Sequence, residues 1–208
     1  VKIFLVVEAI VLITALGVAV LRSLPGPVFF PLRAFAVVYT DFFRGVPTIL
    51  VILMLGFGMP ALQLEGVPDS EVFWASVSLA LVYTAYVSEV YRAGIDSVHP
   101  SQDAAARSLG LTRLQSLRFV VIPQAVRRVI PPLLNDFIGL QKDTALVSTL
   151  GIVEALQQAS IDEAATFNGT PFLVAATLFV AITIPQARFT DWLIARDRRR
   201  RQAAGVAA

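Results

Sequence analysis

Carboxylates and a lysine inside an otherwise apolar stretch are the residues of this chain that most demand a chemical role. Asn135, Asp136, Lys142 and Asp143 crowd one segment behind the pair Pro131-Pro132. Ionisable groups within a bilayer are rare and face a bundle interior or a wet cavity. On a helix, Asn135, Lys142 and Leu146 share one face, and Asp136 and Asp143 lie together on the next. Two readings stand: an ion pair, Lys142–Asp143 or between subunits, that fixes a bundle, and a discontinuous helix that lines a solute route. Glu154 follows in an acidic connection, either as a solvated loop acid or as an attractor of cationic solutes. Glu89 with Arg92, and Asp41 with Arg44, have the three-residue spacing of a helical ion pair. Both pairs read as structural clamps.

Other chemistries are excluded by what is missing. The chain has no cysteine, which removes disulfides, thiolate metal sites and cysteine nucleophiles. Its single histidine, His99, precedes Pro100 and reads as a turn residue, with a pH sensor as the alternative. No metal-ligand cluster and no nucleophile on an elbow is present, so an enzyme is not expected. No Gly-x4-Gly-Lys-Ser/Thr loop occurs either, so the chain is not expected to hydrolyse ATP itself.

The elements that must hold these residues are apolar. Of 208 residues, 56% are hydrophobic and 15% charged, against about 25% charged in an ordinary soluble domain. A chain of this length cannot bury that much apolar surface in water. A membrane helix needs about 20 mostly apolar residues, and five stretches qualify: 4–21, 37–58, 72–91, 129–150 and 171–193. Glu8 interrupts the first. Pro25, Pro27 and Pro31 punctuate the first connection, Gly58, Pro60, Gly66 and Pro68 the second, and Asn168, Gly169 and Pro171 the last. No stretch alternates with a period of two, which argues against a β-barrel. The chain opens at Val1 rather than Met, which reads as a fragment or trimmed product, and the first stretch reads as a retained span rather than a cleaved leader.

Charge orients the spans. Arg22 and Arg33 flank the first connection, Arg92 to Arg128 fill the third, and Arg196 and Arg198 to Arg201 load the tail, 194–208. In connections 59–71 and 151–170 the only charged residues are acids. The positive-inside rule then sets the N-terminus outside and the C-terminus in the cytoplasm, as odd parity requires. Trp74 and Trp192 fall where interfacial anchors belong, and the arginine tail suits anionic lipid heads rather than nucleic acid.

The cytoplasmic connection, 93–128, is too organised for a linker. Ser101 is an N-cap candidate for a helix through Leu109, with Asp103 near its positive end and Gly110 as the C-terminal stop. Thr112 to Val121 forms a second segment, with Leu114, Leu117 and Val121 on one face and Pro123 ending it.

The stretch DAAARSLGLTRLQSLRFVVIPQA, 103–125, resembles the coupling loop of permease subunits of ABC importers. The spacing from Gly110 to Pro123 matches that pattern, but Ala104 stands where the family has Glu, with the acid one place earlier at Asp103. YTDFFRGVPTILV, 39–51, YTAYVSEVYRAGIDSV, 83–98, and PPLLNDFIGLQKDTALVSTLG, 131–151, resemble signatures of permeases for polar amino acids. The resemblance covers about residues 39–151 in order. It implies an all-α polytopic inner-membrane protein of a prokaryote, one transmembrane domain over 1–208. It implies a rigid coupling helix docked on a separate ATPase subunit, formed by Gln102, Asp103, Ala104, Ala105, Ala106, Ser108, Leu109, Gly110 and Leu111, with Pro123 beyond. No cofactor is expected on this chain; ATP and magnesium belong on the partner. A second permease subunit, an extracytoplasmic binding protein and a polar amino acid are the other implied partners. The alternative, an ATP-independent transporter or channel, predicts inverted internal repeats, and the two halves show none.

Overall fold

The computed structural model describes residues 2–24 and 26–203, with side chains as far as Arg199. Pro25, the side chains of Arg200 and Arg201, and the end of the tail, 204–208, lie outside the described residues. Every regular element among those described is helical. In chain order these are α1 (Lys2–Ser23), α2 (Phe30–Gly45), α3 (Thr48–Ala61), α4 (Glu71–Asp96), α5 (Pro100–Ser108) and α6 (Arg113–Ser116). A π turn (Leu117–Val121), α7 (Ile122–Asp143), a 3-10 turn (Thr144–Leu150), α8 (Ala155–Thr166) and α9 (Thr170–Ala203) follow.

The bundle is built around α4, which packs on α1, α2, α3 and α7. α1 offers Phe4, Val7, Val11, Ala15 and Ala19, a stripe at helical spacing that is buried while Leu5, Ile13 and Leu16 stay exposed. α4 answers with Ala75, Leu79, Val82 and Val87, and Leu140, Val147 and Leu150 close the core from the other side. Small and hydroxylated residues allow these close approaches. Thr14 and Thr84 hydroxyls pair at 2.7 Å between α1 and α4. Gly94 lies against α7, where a Cβ would stand 3.5 Å from the Ala125 carbonyl and collide with Val129.

The all-helical architecture agrees with expectation, and α1 and α4 occupy the first and third expected spans. The second expected span, 37–58, is instead two helices, α2 and α3, bent by 100°. Val46 is extended (ψ 132) ahead of Pro47, because the proline ring denies its predecessor the helical region. Pro123 does not end the second coupling segment but sits in the first turn of α7. The helix passes through because the π turn ahead of it rewires the bonding: the Ile122 amide reaches back to the Leu117 carbonyl. α7 also continues through Pro131 and Pro132, whose fixed φ is helical and whose lost bonds are tolerated where neighbours hold the helix. The winding changes only at Thr144, so the expected span 129–150 is the end of a longer helix plus a 3-10 turn.

The acidic connection 151–170 is not a loop, since α8 occupies its middle. α9 runs past the expected end at 193. Along it Leu173, Val174, Leu178, Ile182 and Phe189 are exposed, as a lipid-facing surface requires. Length and apolarity qualify α1, α4 and α9 as spans, together with the bent pair as a fourth. α7 carries Arg127, Arg128, Asp136, Lys142 and Asp143 and is held by packing on α4 and α9.

Candidate functional site

α5 leaves α4 after only three residues, so it is a rigid outgrowth of the central helix. Its N-cap is His99, not Ser101: the imidazole Nδ1 accepts from the Ser101 amide at 3.2 Å, and Pro100 opens the first turn. Gly110 (φ +89) follows the C-cap Leu109 in the left-handed region, and the Leu111 amide bonds back to the Ala106 carbonyl at 3.3 Å. This closes the helix end and turns the chain toward α6. Thr112 then caps α6 in a reciprocal box with Gln115, at 2.9 and 3.3 Å.

Two residues of α5 face inward. Ala106 is buried, and Asp103 accepts from the Ser116 hydroxyl at 2.5 Å. Gln102 lies at the flank, where its side-chain oxygen accepts from Gln124 at 3.4 Å. Ala104, Ala105, Arg107, Ser108 and Leu109 are exposed, with Leu109 at 82%. The face expected from Leu114, Leu117 and Val121 is buried only at Val121; Leu114 is 75% exposed. The π turn rotates these positions out of a common face.

Of the two expected clamp pairs, Glu89–Arg92 forms and Asp41–Arg44 does not among the described residues. Glu89 binds Arg92 at 2.8 Å, and Arg92 reaches Asp96 at 2.7 Å. Glu89 also takes Arg22 from the end of α1, and Arg44 approaches it at 3.7 Å from the end of α2. Arg22 further donates to the Thr40 hydroxyl at 3.0 Å. Arg44 therefore pairs across the bundle rather than with Asp41, which is exposed. Arg22 was legible only as a flanking base, since its partner lies 67 residues away.

The α7 residues separate by face. Asn135 and Lys142 are exposed, and no Lys142–Asp143 ion pair forms among the described residues. Asp143 instead accepts from the Tyr83 hydroxyl at 2.9 Å, a partner on α4 with no local signal in the sequence. Asp136 is half-buried, and its Oδ2 finds no hydrogen-bond partner among the described residues. It lines a cavity of about 420 Å³ together with Arg44, Tyr86, Glu89 and Arg128. Glu154 lies elsewhere, as the N-cap of α8, accepting from the Leu156 and Gln157 amides at 2.9 and 2.8 Å. It borders a second cavity of about 630 Å³ with Lys2, Gln141 and Gln186.

The model of the family described as binding-protein-dependent transport system inner membrane component matches residues 27–199. The probable amino-acid permease protein YxeN of Bacillus subtilis (strain 168) is 39% identical over 59% of this chain, and the match spans about half of that relative, 55%. The probable glutamine ABC transporter permease protein GlnM of the same organism is 31% identical over 87% of this chain and 82% of its own. A crystal structure of an amino acid ABC transporter with histidines superposes with a TM-score of 0.83 at 29% identity, over 94% of this chain and 89% of that one. With a helical bundle around α4 and a capped helix at its root, this chain belongs to the binding-protein-dependent transport system inner membrane components.

Proposed function

We propose that this chain is the permease subunit of an ABC importer for a polar amino acid. The observation that carries the reading is α5, a capped helix joined to the central helix of the bundle by three residues and exposing Ala104, Arg107, Ser108 and Leu109. A helix so attached is a lever. A push on its outer face reaches α4 without loss in a flexible linker, and α4 contacts α1, α2, α3 and α7. Closure of ATPase subunits then drives a rigid-body change of access. ATP and magnesium act on those subunits, a second permease subunit completes the enclosure, and an extracytoplasmic binding protein delivers the solute. The orientation, N-terminus outside and tail in the cytoplasm, is part of the proposal and is supported by the arginine-rich connection around α5.

The solute path is proposed along α7 and its neighbours. Asp136 and the cavity it shares with Arg44 and Glu89 are the stronger candidates, because an unpartnered buried carboxylate oxygen calls for a ligand or water. Glu154 caps α8 and also borders the second cavity. Asn135 and Lys142 are exposed on the α7 surface, as a second subunit would require.

The test is uptake in proteoliposomes holding this chain, its cognate ATPase and binding protein, with labelled amino acids offered singly. Uptake that needs ATP, with hydrolysis stimulated by the loaded binding protein, supports the importer. Uptake on an ion gradient without the ATPase replaces it with the secondary-transporter reading.

A further inference from the structure

Ala104 stands where the coupling-loop pattern that this stretch resembles has Glu, position 104 is exposed, and Asp103 is the nearest acid. The geometry shows that this acid does not take over an outward role. Asp103 is on the same side of α5 as the buried Ala106, three residues on, and turns toward α6. Its Oδ1 accepts from the Ser116 hydroxyl at 2.5 Å, within the range of a charge-assisted O–H···O⁻ bond. Ser116 is fully buried, at 0% exposure, and its own amide is held by the Thr112 carbonyl at 2.8 Å. Past Ser116 the chain winds through the π turn into α7.

We propose that Asp103 is a positioning residue whose bond to Ser116 staples the coupling helix to α6, the segment that leads into α7, adding a sheltered tie to the exposed Gln102–Gln124 contact. This rests on the importer reading above. Without that tie, a push on α5 is delivered mainly to α4. With it, the push moves α4 and α7 together, and those helices carry Glu89 and Asp136, which line the shared cavity. The outer face of α5 then carries Arg107 as its charge, so the groove that receives it on the ATPase meets a cation rather than an acid.

Variants of the full transporter separate this from an acid acting on the ATPase. Asp103→Asn keeps an acceptor oxygen for Ser116 and removes the charge; Asp103→Ala and Ser116→Ala each remove the bond. The readouts are ATP hydrolysed per solute imported and ATPase retained on the purified permease. A staple predicts Asp103→Asn within about twofold of wild type in the first readout. Asp103→Ala and Ser116→Ala each raise ATP per solute several-fold, and the double variant is no worse than either single one. ATPase retention stays near wild type throughout. The proposal is overturned if Asp103→Asn is as damaged as Asp103→Ala while Ser116→Ala is normal. It is equally overturned if the variants lower only the yield of complex, with ATP per solute unchanged. Wild-type transporter that imports without ATP removes the importer reading itself, a result visible before any variant is compared.

Discussion

Arg22 and Glu89 lie 67 residues apart and form an ion pair between the end of α1 and the last turns of α4, with side chains only 12% and 16% exposed. Around the same carboxylate stand Arg92 of α4 and Arg44 of α2. One acid thus gathers three helix segments at the root of α5.

Removing Glu89 leaves the sheltered Arg22 uncompensated, which costs about 3 kcal/mol, whereas Glu89 without Arg22 keeps Arg92 at 2.8 Å. Glu89→Gln is expected to lower the thermal stability of the detergent-purified protein markedly, and Arg22→Ala to lower it less. Arg44→Ala, at the more exposed and longer contact of 3.7 Å, is expected to change it by less than about 1 kcal/mol. Thermal unfolding of the three variants tests the ranking.

Gly94 tests the α4–α7 contact. A side chain there overlaps Val129, and overpacking costs about 1–3 kcal/mol. Gly94→Ala is expected to reduce the folded fraction, and adding Val129→Ala to restore most of it. Size-exclusion profiles of the single and double variants give the answer; failure of Val129→Ala to compensate would place the strain elsewhere.

Tyr83 and Asp143 hold α4 to α7 nearer the other end. Hydrogen bonds to charged groups contribute about 2 kcal/mol. Tyr83→Phe is expected to lose that stability, and Asp143→Asn, which keeps an acceptor oxygen, to lose less. Equal losses in a melting experiment would show that the charge of Asp143 matters more than the bond.

Gly110 adopts φ +89, where a Cβ is strained. Gly110→Pro is expected to abolish ATP-driven uptake while membrane insertion persists, because only the turn between α5 and α6 is altered. Retained uptake in the variant would remove the coupling role proposed for this turn.

What could be read from the sequence follows physical rules that act locally. Apolar runs long enough to span, arginines concentrated in one connection, and the Gly110 stop behind an alanine-rich helix are properties of neighbouring residues, and α1, α4 and α5 stand close to where these place them. Apolarity read 37–58 as one span, and it could not show that the chain bends there by 100°.

The tertiary structure decided the rest, because it depends on what each group meets across the bundle. Proline is disfavoured inside a helix, yet packing carries α7 through Pro131 and Pro132. Lys142 and Asp143 are adjacent and opposite in charge, yet successive helical side chains diverge by about 100°; the carboxylate finds Tyr83 instead. Arg44 passes over Asp41 for Glu89. The type and spacing of the residues were set by the sequence; which charges became partners was settled only when the helices packed, since an ion pair depends on distance in space.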